Sequence, residues 1–233
     1  VGRNRKTRKR KGLKTAAILL LLVGLGVLFY PQIHELFYQH EVAAIKKEFL
    51  RDKKPGGDSP YDALYELLKA ENERLFATGQ SGLTDAFSYE QPAVDLSEYG
   101  IKDNCIGFIS ISSIKVELPI YLGANTENML KGAVHLTQTS YPIGGQNTNS
   151  VIAAHRGITV TMFRNIQKIQ IGDEIAIRNF RETLTYRAAK IKIISPLDSN
   201  EIIIQPGRDL VTLITCHPYR VNTQRYVVYC ERV

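Results

Sequence analysis

From Gln91 onward the chain is cut into short β-branched runs by turn residues, and this rhythm limits the fold more than any other feature. The runs are Cys105–Ile111, Val116–Leu122, Ser150–Ala154, Glu174–Arg178, Leu184–Ile194, Glu201–Ile204, Leu210–Thr215 and Arg225–Arg232. Each has the length of a strand, and residues of turn chemistry separate them. Eight such strands with few helices predict a mainly β fold, a closed barrel or a sandwich. Asn125–Lys131 reads as a short helix, Met162–Ile166 as a helical turn, and Gly144-Gly145 as a turn rather than a phosphate-cradling loop. Internal repeats and low-complexity tracts are absent.

The N-terminal part has a different character. Thr15–Tyr30 is uncharged and rich in Leu, Val and Ala. As a helix it covers roughly 24 Å, a little short of a ~30 Å hydrocarbon core, and Leu13 and Pro31–Ile33 extend it. Eight Lys and Arg residues precede it, from Arg3 to Lys14, with no acid among them. That asymmetry predicts a cytoplasmic N-terminus and the bulk of the chain outside the cell membrane. A cleaved signal peptide needs small residues at its cleavage site, which Phe29-Tyr30-Pro31 does not offer. The net charge of +7 belongs to this tail, because 23 acids face only the 22 other bases. A folded part without basic excess argues against nucleic-acid binding.

Ile33–Arg51 and a segment opening at Ser59-Pro60 read as helices, separated by the breaker Lys53–Gly57. Leu64, Leu67, Leu68, Leu75 and Phe76 give the second an apolar face, and Gly79 is its stop. The expected organisation is therefore a basic tail at 1–14 and a transmembrane anchor at 15–33. Membrane-proximal helices follow at 34–90, and a β domain at 91–233.

Chemistry must come from three cysteines and five histidines. Cys216 ends the apolar run Val211–Ile214, at the rim of a fold rather than its middle. Arg225 opens the next run, so two adjacent strands return a cation to the thiol, which favours the nucleophilic thiolate. His155 likewise ends Val151–Ala154 and sits on a rim. His34 and His40 fall beside the membrane, and His135, ending an apolar run, reads as a structural histidine. No cysteine or histidine pair has metal-ligand spacing, and no cofactor is implied. Cys105 and Cys230, each inside a strand pattern, read as small buried hydrophobes, with a disulfide as the alternative.

Thr212-Leu213-Ile214-Thr215-Cys216 with Arg225, and Ala154-His155-Arg156-Gly157 upstream, resemble the sortases, membrane-anchored cysteine transpeptidases of Gram-positive bacteria. The resemblance implies an eight-stranded sortase-type β-barrel with Cys216, His155 and Arg225 as catalytic residues. Thr215 and Tyr219 are the substrate-binding candidates. Leu118-Pro119-Ile120-Tyr121, Lys131–Leu136 and Pro218-Tyr219 are most similar to class C, the pilus-assembly enzymes. That class carries an Asp-Pro-aromatic lid; Asp85 and Phe87 occupy the place here, with Ala86 where proline is expected. His217 and Gln224 are further departures. The implied function is cleavage of a Leu-Pro-x-Thr-Gly-like signal and transfer of its acyl group to a pilin lysine. Its partners would be pilins or surface proteins with sorting signals. A housekeeping sortase anchoring proteins to peptidoglycan is the second reading. A non-catalytic surface binding domain is the third, and it has no need of Cys216, His155 and Arg225 together.

Overall fold

The computed structural model describes residues 3–51, 60–80, 82–83, 85, 87, 91–157 and 160–233. It divides into two compact units, Val1–Glu41 and Val42–Val233. Most of the first unit belongs to α1 (Arg3–Arg51), which runs unbroken through Pro31. The apolar run and the amphipathic pattern after Ile33 are thus one helix. Ile18–Leu22 and Val27–Tyr30 are exposed along it, with Leu20 74% and Val27 72% accessible. Such a contiguous apolar surface marks a face that water does not normally cover. Its most apolar window has a mean hydropathy of 2.2, and the helix is long and apolar enough to cross a membrane.

The second unit is built on a closed barrel of eight strands. They are β1 (Cys105–Ile111), β2 (Val116–Leu122), β3 (Ala133–His135), β4 (Thr148–Ala153), β5 (Glu174–Asn179), β6 (Thr183–Ile194), β7 (Asp209–His217) and β8 (Gln224–Arg232). Around the barrel the order is β1-β2-β3-β4-β7-β8-β6-β5, closed by the antiparallel β5–β1 pair. The β2–β3 and β4–β7 pairs are parallel and the others antiparallel. Closure leaves no unpaired edge. Ile109, Ile120, Val151, Ile177, Leu213 and Val228 are among the side chains fully removed from water.

One expected strand is wrong and one was missed. Ser199–Ile202, overlapping the expected strand Glu201–Ile204, is a 3₁₀ turn. Backbone groups at its end and just after it go to side chains instead of a ladder. Asn149 Nδ2 donates to the carbonyls of Ile202 and Ile203, and the Ile204 N–H donates to Gln80 Oε1. The missing eighth strand is β3, three residues long and too short to show a period of two. It is a strand because β2 and β4 supply partners on both sides.

The helix α2 (Pro60–Thr78) buries Leu64, Leu68 and Leu75, while Leu67 and Phe76 stay partly exposed. Asn72 lies on the same buried stripe, and it is satisfied by the barrel. Its Nδ2 donates to the Tyr141 carbonyl at 3.3 Å and its Oδ1 accepts from the Tyr141 N–H at 2.7 Å. Gly79, at φ +74°, ends the helix as expected. The cap expected at Ser59 and the breaker at Lys53–Gly57 lie outside the described residues. The short helix α3 (Thr126–Lys131) forms where expected, its N-terminus capped by the Asn125 side chain.

Candidate active site

The strand β7 is buried from Leu210 to Thr215 and emerges from the core at Cys216 and His217. Across the antiparallel ladder, Cys216 is the register partner of Arg225 on β8. Directly opposed residues bring their Cβ atoms to about 5 Å, so the thiol and the guanidinium stem are neighbours by register. On the other side of β7, the parallel strand β4 sets Ala153 opposite Ile214. The junction is then locked by two bonds: the Ala154 N–H donates to the Ile214 carbonyl at 3.3 Å, and Thr215 Oγ1 donates to the Ala154 carbonyl at 2.6 Å. His155 is the next residue, so it leaves β4 level with Cys216. The three residues read from the sequence as rim positions therefore share one end of the barrel.

The segment after His155 is held tightly. The Gly157 carbonyl accepts from Arg164 Nε at 2.9 Å and from the Tyr219 hydroxyl at 3.2 Å. Gly157 has φ +48°, and a Cβ there would meet the Val160 carbonyl oxygen at 1.7 Å. Only glycine fits such a position.

Arg225 is 7% exposed, and each nitrogen of its side chain has a partner. Nε and Nη2 donate to the two carboxylate oxygens of Asp85 at 2.7 and 2.6 Å, a bidentate pair. Nη1 donates to the carbonyls of Asn222 and Gln224. Phe87 lies against the same groups. Its ring centre is 5.0 Å from Arg225 Cζ and 5.8 Å from the His155 ring, the two rings inclined by 27°. Asp85 and Phe87 thus reach the arginine and the histidine, although proline is missing between them.

The electrostatics favour neutral groups in this arrangement. Burial pushes the Cys216 thiol above its ordinary range, and Asp85 adds to this, while Arg225 and Arg156 oppose it. Burial alone pulls the His155 imidazole down. A protonated thiol and a neutral imidazole are the forms that both directions select.

The substrate-binding candidates fall in different environments. Thr215 is fully buried, with its hydroxyl committed to the β4–β7 junction. Tyr219 is 38% exposed, with Arg220 Cζ 5.4 Å and Arg156 Cζ 5.8 Å from its ring. His135 lies apart from the site. It is buried, stacked on Tyr141, and bonded through Nε2 to the carbonyls of Thr139 and Ser140. Cys105 and Cys230 are buried and not joined in a disulfide, on strands that are not neighbours.

Two features were not foreseen. The segment bearing Asp85 and Phe87 is clipped at both ends by adjacent residues of one loop. Gln80 Nε2 donates to the Gln138 carbonyl at 3.2 Å, and Thr137 Oγ1 donates to the Gln91 carbonyl at 2.9 Å. No local pattern announces such clips, because their partners are distant in the chain. The other is the burial of Arg156; its one sequence signal is adjacency to His155.

A sortase domain model matches residues 109–233. The chain is similar to sortase A of Listeria monocytogenes serovar 1/2a, 26% identical over 94% of this chain and 90% of that protein. It is also similar to sortase D of Bacillus subtilis (strain 168), 30% identical over 54% of this chain and 63% of that protein. Among solved structures it resembles sortase C1 of GBS pilus island 1, with a TM-score of 0.74 and 31% identity over 82% of this chain and 91% of the other. A pilus-related sortase C of Group B Streptococcus gives 0.72 and 34%, over 80% and 96%. With the motif, the barrel and these likenesses in agreement, the chain belongs to the sortase family of cysteine transpeptidases.

Proposed function

We propose that the chain is a membrane-anchored sortase that cleaves a Leu-Pro-x-Thr-Gly-like signal between Thr and Gly and joins the acyl group to a lysine amine of another pilin subunit. The observation that carries this reading is the cross-strand pairing of Cys216 with Arg225, with His155 following β4 beside them. In this mechanism the Cys216 thiolate attacks the threonine carbonyl, and Arg225 stabilises the oxyanion. Imidazolium His155 protonates the departing glycine amine, giving a thioacyl-enzyme. Neutral His155 then accepts a proton as the incoming amine attacks, and the thiolate leaves.

Arg225 cannot serve an oxyanion while Asp85 holds its fork. The reading therefore makes Asp85 and Phe87 a lid that withdraws before substrate binds, and the two stem clips are its fixed ends. The anchor is α1, with the N-terminus in the cytoplasm and the barrel outside. Pilin polymerisation is favoured by the pilus-related sortases among its structural neighbours. Anchoring to peptidoglycan is the second reading, and the likeness to sortase A over nearly the whole chain supports it.

Incubation of the full chain with a sorting-signal peptide tests the chemistry. Cleavage should vanish in Cys216→Ala, and undiminished cleavage by that variant would overturn the assignment. Incubation with purified pilin separates the two acceptors: a ladder of covalent oligomers supports polymerisation, and cleavage without a ladder favours anchoring.

A further inference from the structure

Arg156 is a buried cation with no carboxylate partner among the described residues, next to a cysteine that must carry negative charge. It is 9% exposed. Its Nη2 donates to Gln167 Oε1, and its Nη1 lies 3.3 Å from His217 Nδ1 and 3.5 Å from the Cys216 carbonyl oxygen. Its Nε is fully buried and has no hydrogen-bond partner among the described residues. Burying a guanidinium without a counter-ion is costly, so the position needs a compensating role. Arg225 differs, since Asp85 matches its charge.

We propose that Arg156 is a positioning residue for Cys216: its fork holds the emerging end of β7 at the Cys216 carbonyl and His217, and its unmatched charge favours the thiolate. The proposal rests on Cys216 being the nucleophile. The two arginines then divide the work. Arg225 is engaged by Asp85 when the lid covers the site and is freed for the oxyanion when it withdraws. Arg156, held by β7 and Gln167 rather than by the lid, supports the thiolate in both states. The direction in which Arg156 moves the Cys216 thiol, opposite to Asp85, agrees with this division. Two further titratable groups at this end of the barrel are His155, whose ring lies 5.8 Å from that of Phe87, and His217, whose ring lies 5.8 Å from that of Tyr226.

The test is the pH dependence of iodoacetamide alkylation at Cys216, followed by mass spectrometry on the full chain in detergent. Arg156→Met should move the alkylation midpoint to higher pH and slow labelling near neutrality about threefold to tenfold, one pH unit being tenfold. Arg156→Lys, which keeps the charge and loses the fork, should restore the midpoint while kcat for peptide cleavage stays low. Arg156→Gln keeps a donor and loses the charge, and should shift the midpoint as Met does; it decides the matter if the Met variant does not fold. An unmoved midpoint in a charge-removing variant that folds, as judged by thermal unfolding, overturns the proposal. Alkylation reads the thiol itself, so that outcome leaves the nucleophile assignment standing. Persistent cleavage by Cys216→Ala removes the nucleophile without changing the midpoints.

Discussion

Asp85 takes both ends of the Arg225 fork, at 2.7 and 2.6 Å, while Arg225 faces Cys216 across the β7–β8 ladder. The carboxylate thereby acts twice: it occupies the guanidinium and adds a negative charge that disfavours the thiolate. Replacement by Asn removes the charge. The Cys216 thiol should then titrate at lower pH, so its alkylation at neutral pH should rise by about threefold to tenfold. Time-resolved alkylation of Asp85→Asn measures this, and an unchanged rate removes Asp85 from control of the thiol.

Arg225→Lys keeps a cation opposite Cys216 and loses the fork. A point charge supports a thiolate, whereas a developing oxyanion needs a directed donor. Peptide cleavage should fall by about 10²-fold or more, while the Cys216 alkylation rate changes far less. Parallel loss of both would reduce Arg225 to a structural residue.

Gly157→Ala places a methyl group 1.7 Å from the Val160 carbonyl oxygen at a φ of +48°. Backbone must move to admit it, and His155 is only two residues away. The variant should be destabilised by about 1–3 kcal/mol or more and lose most activity. Thermal unfolding and peptide cleavage on the same preparation check the pairing of the two losses.

Burial pulls the His135 imidazole down to about 4, with its hydrogen bonds to Ser140 and Thr139 opposing the shift. The unfolded chain protonates this group near its ordinary value of about 6.5. Between those values the unfolded state binds more protons, so stability is full above pH ~6.5 and falls as pH drops towards ~4. The loss at pH 4 is about 3 kcal/mol from this group. Denaturant unfolding across that range should show the slope in the wild type, and a folded His135→Gln variant should lack it.

Much of the barrel was legible because strand propensity and turn chemistry are local. Seven of the runs became strands with ends displaced by two residues or fewer. The exceptions, β3 and the turn at Ser199–Ile202, were decided by hydrogen-bond partners far away in the chain. Asn149 and Gln80 supply those partners for the turn, and neither is recognisable as a donor or acceptor for it from its own neighbours.

The same division holds for the site. The sequence by itself determined that a thiol, an imidazole and a guanidinium stand at strand ends, and that an apolar helix precedes them. Only the tertiary structure decided which strands are neighbours, and hence that β4, β7 and β8 are adjacent and bring the three groups to one end of the barrel. It also decided that Asp85 reaches Arg225 and that Arg156 is buried at the Cys216 carbonyl with no counter-ion among the described residues. The physical reason is the range of the forces involved. Strand ends follow from nearby residues, but burial and charge pairing depend on groups brought together only when the barrel closes.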